Sequence, residues 1–221
     1  MNYLPRTIQP VIEEASKFFK IVMVSGMRQV GKSTLLKQLS SDKRTIISFD
    51  DINNLESAKN APLQFLQLNP PPCFFNQVQR VPEIFKALKI SVDSRSEKGL
   101  YWLSGSQKLS LMSQVSDALP GRLMNFELWP FSIYEIAGKG LEQKPYLPSF
   151  SLSSNLPILD PADTWNAVFQ GFWPELKKAT ETERSCFFRS LVDLYLSRDV
   201  RSLSGIEKFD EFEKFLITIA R

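Results

Sequence analysis

The chain has 221 residues, 43% hydrophobic and 23% charged, an ordinary composition for a globular protein with room for a real core. It contains no histidine, which excludes histidine acid–base catalysis, Ser–His and Cys–His nucleophile pairs and histidine-containing zinc sites. Cys73 and Cys186 form no C-x-x-C pair, so a disulfide framework is not expected and a reducing cytoplasm fits, while a net charge of +3 neither requires nor excludes nucleic acid.

The N-terminal stretch "MNYLPRTIQPVIEE" lacks an apolar signal core, and runs such as "IVMV" and "FLITIA" are too short to span a membrane. Residues 10–19, "PVIEEASKFF", predict a short amphipathic helix with Pro10 near its start. "KIVMVSG" is a continuous apolar run ending in glycine, the pattern of a buried parallel strand. "GMRQVGKSTLLKQLS" follows as loop and helix. "RTIISFDD" predicts a second buried strand with acids at its carboxyl end, and "PCFF" a third. "PEIFKALKISVDS" carries Ile84, Phe85, Leu88 and Val92 at helical spacing. "GLYWLSGS" predicts a strand, "QKLSLMSQVSDAL" a helix, and "GRLMNFELW" a turn running into a strand. Strands alternating with helices imply an α/β fold, a mostly parallel doubly wound sheet with its chemistry at the strands' carboxyl ends.

This core is expected over residues 1–137. Residues 138–161 are rich in Pro, Ser and Gly and predict a linker or long loop, and residues 162–221 a small helical C-terminal part. There, Phe188, Val192 and Tyr195 share one helical face. A last helix carries Phe209, Phe212, Phe215, Leu216 and Ile219 and reaches Arg221 with no stop signal. Its apolar stripe raises the expectation that a longer protein continues; packing back onto the preceding helices is the alternative.

"GMRQVGKST", Gly26 to Thr34, satisfies G-x-x-x-x-G-K-[ST] between a strand and a helix. Gly26 and Gly31 let the backbone curl so that the amides of the loop, through Arg28, Gln29 and Val30, face phosphate oxygens. The N-terminus of the following helix adds to that field. Lys32 reaches the β- and γ-phosphates, and the Ser33 hydroxyl ligates Mg²⁺. No N-K-x-D pattern for guanine occurs, so ATP is the favoured nucleotide.

An ATPase of this layout needs Asp-Glu at the end of a neighbouring strand, the first on magnesium, the second orienting and deprotonating water. Here Asn76 and Gln77 stand there. An amide cannot accept the proton, and losing a general base costs roughly 10²–10⁴-fold in rate. Triphosphate binding is expected to survive and hydrolysis to fail. Two same-shaped amides at adjacent positions favour deliberate replacement over a natural pseudo-ATPase. A third reading puts the catalytic acid at Asp50 or Asp51.

Ser104 and Ser106 in "LSGS" are candidates for holding the attacking water, with a helix N-cap the other reading of Ser106. Arg122 in "LPGR" is a candidate to reach a neighbouring subunit's γ-phosphate, which would make self-association functional; the alternative is a turn arginine bound to solvent or a local carboxylate. Arg80, Arg198, Asp199 and Arg201 are weaker candidates.

In order, "YLPR", "VSGMRQVGKSTLLKQL", "SFDD", "CFFNQVQRVPEIFKALKISVD", "LYWLSGSQKLSLMSQVSDALPGR", "PFSIYEI", "GFWPEL" and "YLSRDVRSL" resemble a family of bacterial and archaeal AAA+-like P-loop ATPases. The resemblance covers nearly the whole chain. It implies ATP and Mg²⁺ binding through Gly31, Lys32, Ser33 and Thr34, a sensor in "LSGS" and an arginine finger at Arg122. It also implies acids at positions 76 and 77, and a further C-terminal domain. A nucleotide-gated binding module, acting on DNA, and a small-molecule phosphotransferase are the rival readings.

Overall fold

An unbroken apolar run has no polar face to offer solvent, and β1 (Ile21–Ser25) is accordingly buried along its whole length. The same holds for β3 (Cys73–Asn76) and β4 (Tyr101–Ser104). With β2 (Thr45–Ser48) and β5 (Leu123–Glu127) they form a five-stranded sheet in the order β2-β3-β4-β1-β5, in which every pairing is parallel. The computed structural model describes residues 3–40, 43–106, 119–142, 160–200 and 209–219. Residues 107–118 of the predicted helix "QKLSLMSQVSDAL" lie outside them, as does Arg201.

Alternation along the strands sorts the core onto two faces. Ile21, Met23, Phe75, Tyr101 and Leu103 meet Leu55 of α3 (Ile52–Asn60), Phe65 of α4 (Pro62–Leu68), and Phe85 and Leu88 of α5 (Ile84–Asp93). Val22, Val24, Phe74 and Trp102 meet Ile12 of α1 (Gln9–Phe18) and Leu35 and Leu36 of α2 (Lys32–Ser40). Phe75 sits at the centre of the first face, its ring centroid 5.7 Å from Phe49, 6.0 Å from Phe65 and 5.7 Å from Tyr101.

β2 departs from the expectation of a buried strand. It forms the sheet edge with β3 as its neighbour, so of its four residues Ile47 alone is buried and Ile46 is 43% exposed. Helices α3 and α4, which the periodicity of residues 52–68 does not signal, fill the crossover from β2 to β3. Asp51 caps α3 by accepting from the Asn53 and Asn54 amides, and Pro62 opens α4.

After β5, the short α6 (Ile133–Ile136) starts with a capping box between Ser132 and Glu135. α7 (Pro161–Gln170) follows. The chain divides into two compact units, Met1–Lys177 and Lys178–Arg221; residues 143–159 of the expected linker lie outside the described residues. Residues after α7 stay with the first unit because Phe131 N donates to Phe172 O at 2.8 Å and Trp173 Nε1 to Arg28 O at 3.1 Å. The second unit contains α8 (Glu181–Leu194), capped by Thr180 and Glu183, a π-helical turn at Tyr195–Val200, and α9 (Phe209–Ile219). Val192 and Tyr195 remain about half exposed, and Phe215 and Ile219 are exposed. Among the described residues no helix is long and apolar enough to cross a membrane.

Candidate functional site

Parallel strands bring their carboxyl ends to one edge, and the register there aligns Ser48, Asn76, Ser104 and Val24 across β2, β3, β4 and β1. Directly above Val24 the chain enters the loop Gly26–Gly31. Gly26 has φ 138, and a Cβ on it would lie 2.3 Å from the Leu128 carbonyl oxygen, so the loop leaves β1 by a path only glycine can take. Gln29 and Gly31 are left-handed, with φ 62 and 95. Leu35 N donates to Gly31 O at 2.9 Å and starts α2. Thr34 is exposed on its first turn.

Lys32 is buried and its Nζ donates to two loop carbonyls, Gly26 O at 2.9 Å and Met27 O at 2.5 Å. Burial pushes its ammonium group down to about 8, and the nearby Arg28 adds to the shift. A cation held this way gains from any anion placed in the loop. Other donors hold the loop from outside: Arg6 Nη1 reaches Val30 O at 2.9 Å, and Trp173 Nε1 reaches Arg28 O.

Beside the loop, one side chain ties together three strands and α2. Asn76 Oδ1 accepts from Ser33 Oγ at 2.5 Å and from Ser104 Oγ at 2.7 Å, while Asn76 Nδ2 donates to Ser48 Oγ at 3.2 Å. The structure therefore brings together Ser33, Asn76 and Ser104, which the sequence analysis singles out. Ser48 is the fourth member. Its signal was its place at the end of a strand, which sequence alone cannot align with Asn76.

Gln77 is left-handed, φ 64 and ψ 43, a conformation disfavoured for a residue with a side chain. Its Oε1 accepts from Gln79 Nε2 at 2.6 Å, and Gln79 Oε1 in turn accepts from Ser106 N at 3.3 Å. The two acids at the end of "SFDD" have other partners. Asp51 caps α3, and Asp50 pairs with Arg80 at 2.9 Å.

Arg122 lies elsewhere. Leu123 pairs with Ile21 at the amino end of β1, whereas Ser25 pairs with Glu127 at the carboxyl end. Arg122 thus sits about 15 Å of strand length from the chain's own loop. It makes a two-pronged contact with Asp93, Nε to Oδ1 at 2.5 Å and Nη2 to Oδ2 at 3.1 Å, and holds that carboxyl below the usual carboxylate range. A turn arginine bound to a local carboxylate is the alternative given for Arg122 in the sequence, and Asp93 is that carboxylate. Arg198 and Asp199 lie in the π-helical turn at Tyr195–Val200 of the second unit.

Arg6 and Glu135 are site-supporting residues that the sequence analysis did not single out. Arg6 is 4% exposed; its Nε lies 3.1 Å from Glu135 Oε1, its Nη2 donates to Trp129 O at 2.6 Å, and it stacks over Phe131 at 4.5 Å. Glu135 also accepts from Thr7 N and Ser132 N, both at 2.8 Å. The pair spans nearly the whole core in sequence, and no spacing rule links such distant positions.

A protein-family model described as "AAA domain" matches residues 18–137, which contain the loop, Asn76, Gln77, Ser104 and Arg122. Uncharacterized proteins of Mycobacterium bovis and Mycobacterium tuberculosis are each 27% identical to this chain over 141 residues. The alignment covers 61% of this chain and 32% of each relative, so the chain spans about a third of the length of the curated relatives it matches.

Proposed function

The chain belongs to the AAA domain family, a nucleotide-binding, ATPase-like module, and from that premise we propose that it binds ATP with Mg²⁺, hydrolyses it poorly and acts as a nucleotide-driven switch. One observation carries the reading: a loop with Lys32 folded into it stands beside a convergence of three side-chain oxygens, those of Ser33, Asn76 and Ser104.

The groups fit a triphosphate. Amides of the loop and the start of α2 face anions, and Lys32 brings a positive charge. They fit magnesium as a phosphate-borne ion. Among the described residues no cluster of three or more His, Cys, Asp or Glu is present. Ser33 Oγ would be the protein ligand, and Asn76 Oδ1 would be a neutral neighbour where a carboxylate would add charge. When bound, the ion screens charge on the phosphates.

The residues at the reacting end are neutral. Gln77 has no basic oxygen to take a proton from water, and its side chain is already engaged by Gln79. Ser104 orients through Asn76 rather than activates. The amides at 76 and 77 leave a site that grips and cuts poorly. Arg122 offers an in-trans contact to a second copy, and the Asp93 pair would have to open for it.

The test is the double change Asn76→Asp with Gln77→Glu, assayed for phosphate release and for ATP affinity. Release should rise by about 10²–10⁴-fold while affinity for Mg·ATP is kept or improved. Rapid hydrolysis by the unsubstituted chain, or silence in the double variant despite bound ATP, refutes the reading. Self-association fails as a component if the ATP-bound chain stays monomeric at high concentration and Arg122→Ala leaves the restored rate unchanged.

A further inference from the structure

A peptide unit is planar, with its C=O and N–H pointing in opposite directions. A side chain that holds a loop carbonyl outward therefore aims the next residue's N–H inward. Two carbonyls of the loop are held this way. Arg6 on Val30 O directs the Gly31 amide, and Trp173 on Arg28 O directs the Gln29 amide. Gln29 and Gly31 are also the two positive-φ residues within 28–31. Left- and right-handed residues in alternation turn successive amides toward a common anion. Gln29 carries a side chain, so its conformation is disfavoured unless something holds it.

We propose that Trp173 is a positioning residue for phosphate binding: through the Arg28 carbonyl, its indole N–H keeps the Gln29 amide turned toward the triphosphate. The inference rests on the reading that the loop binds a triphosphate. The segment around Trp173 is built to hold the indole in place. The Trp173 side chain packs against the apolar cluster that contains Val30, Leu35 and Leu36. Phe172 O accepts from Phe131 N at 2.8 Å, and Pro174 Cγ would lie 3.8 Å from a Cβ on Gly31. Residues 171–174 thus set the geometry of a loop far away in sequence, outside the 18–137 span that the AAA domain model covers.

Trp173→Phe keeps an aromatic ring and removes the donor. Calorimetric titration with Mg·ATP and with Mg·ADP should give dissociation constants raised about five- to tenfold, the loss of one hydrogen bond. Hydrogen exchange of a peptide covering residues 26–31 should accelerate in the ADP-bound variant, with β1 and β4 unchanged. A packing defect alone would accelerate the strands as well. Affinities within twofold of the unsubstituted chain, or faster exchange spread over β1 and β4, overturn the assignment. Absence of ATP binding by the unsubstituted chain overturns the triphosphate reading, and this inference with it.

Discussion

Replacing Arg6 by Met should destabilise the first unit severely. Arg6→Met keeps an unbranched stem of similar reach but removes the guanidinium that donates to Val30 O, Trp129 O and Pro130 O and pairs with Glu135. Glu135 would stay buried, 5% exposed, with two amide donors and no cation. Breaking a buried ion pair from one side costs about 3–5 kcal/mol. That is a large part of the roughly 5–15 kcal/mol by which domains are stable. In a chain of this size 1 kcal/mol moves the melting midpoint by about 2–4 °C, so a drop near 10 °C is expected. Thermal and urea unfolding, followed by circular dichroism and tryptophan fluorescence, measure it. A second arm adds Glu135→Gln, which removes the stranded charge and keeps one acceptor for the Ser132 amide of the capping box, while its NH2 gives up the contact with Thr7 N. The double variant should recover about 1–2 kcal/mol relative to Arg6→Met alone. A loss under about 1 kcal/mol for Arg6→Met, or no recovery in the double variant, would refute the argument that this pair clamps the loop to the core.

Gly26→Ala drives a Cβ to 2.3 Å from the Leu128 carbonyl oxygen at a φ that side chains avoid, so it should abolish Mg·ATP binding in calorimetry and lower the melting midpoint. Lys32 has a folded-state value near 8, below its ordinary value, so the unfolded chain holds more protons between these limits and stability should rise with pH from about 8 toward 10.5. A bound triphosphate favours the charged lysine, so ATP affinity should fall as pH rises above about 8, with proton uptake measurable by calorimetry in buffers of different ionisation heat. Of the two cysteines, Cys186 is exposed whereas burial raises the Cys73 thiol to about 11. Native-state alkylation read by mass spectrometry should therefore label Cys186 and spare Cys73 until the chain unfolds.

Some of this architecture was written locally. The G-x-x-x-x-G-K-S stretch carries its own turn and its own helix start, so the loop could be placed from nine residues. The apolar runs of β1, β3 and β4 announce burial on both faces, and Ile84, Phe85, Leu88 and Val92 mark α5 by spacing alone. Other features had no local trace. The residues of β2 read as a buried strand because edge and centre share the same composition; the difference lies in how many neighbours a strand has. Ser48, Gln79, Glu135 and Trp173 lie in stretches that carry the family resemblance, but each acquires its role through what it touches.

What the sequence by itself determined was the stock of chemical groups: a G-x-x-x-x-G-K-S stretch, no histidine, and the neutral amides Asn76 and Gln77. Residue identity sets proton affinity and charge, and these need no fold to be known. What only the tertiary structure decided was convergence. Parallel registry sets Ser48, Asn76 and Ser104 in one row, α2 adds Ser33, and Arg6 and Trp173 reach the loop from opposite ends of the first unit's sequence. Hydrogen bonds act over about 3 Å, and the packing of the sheet and its helices sets which distant residues come that close.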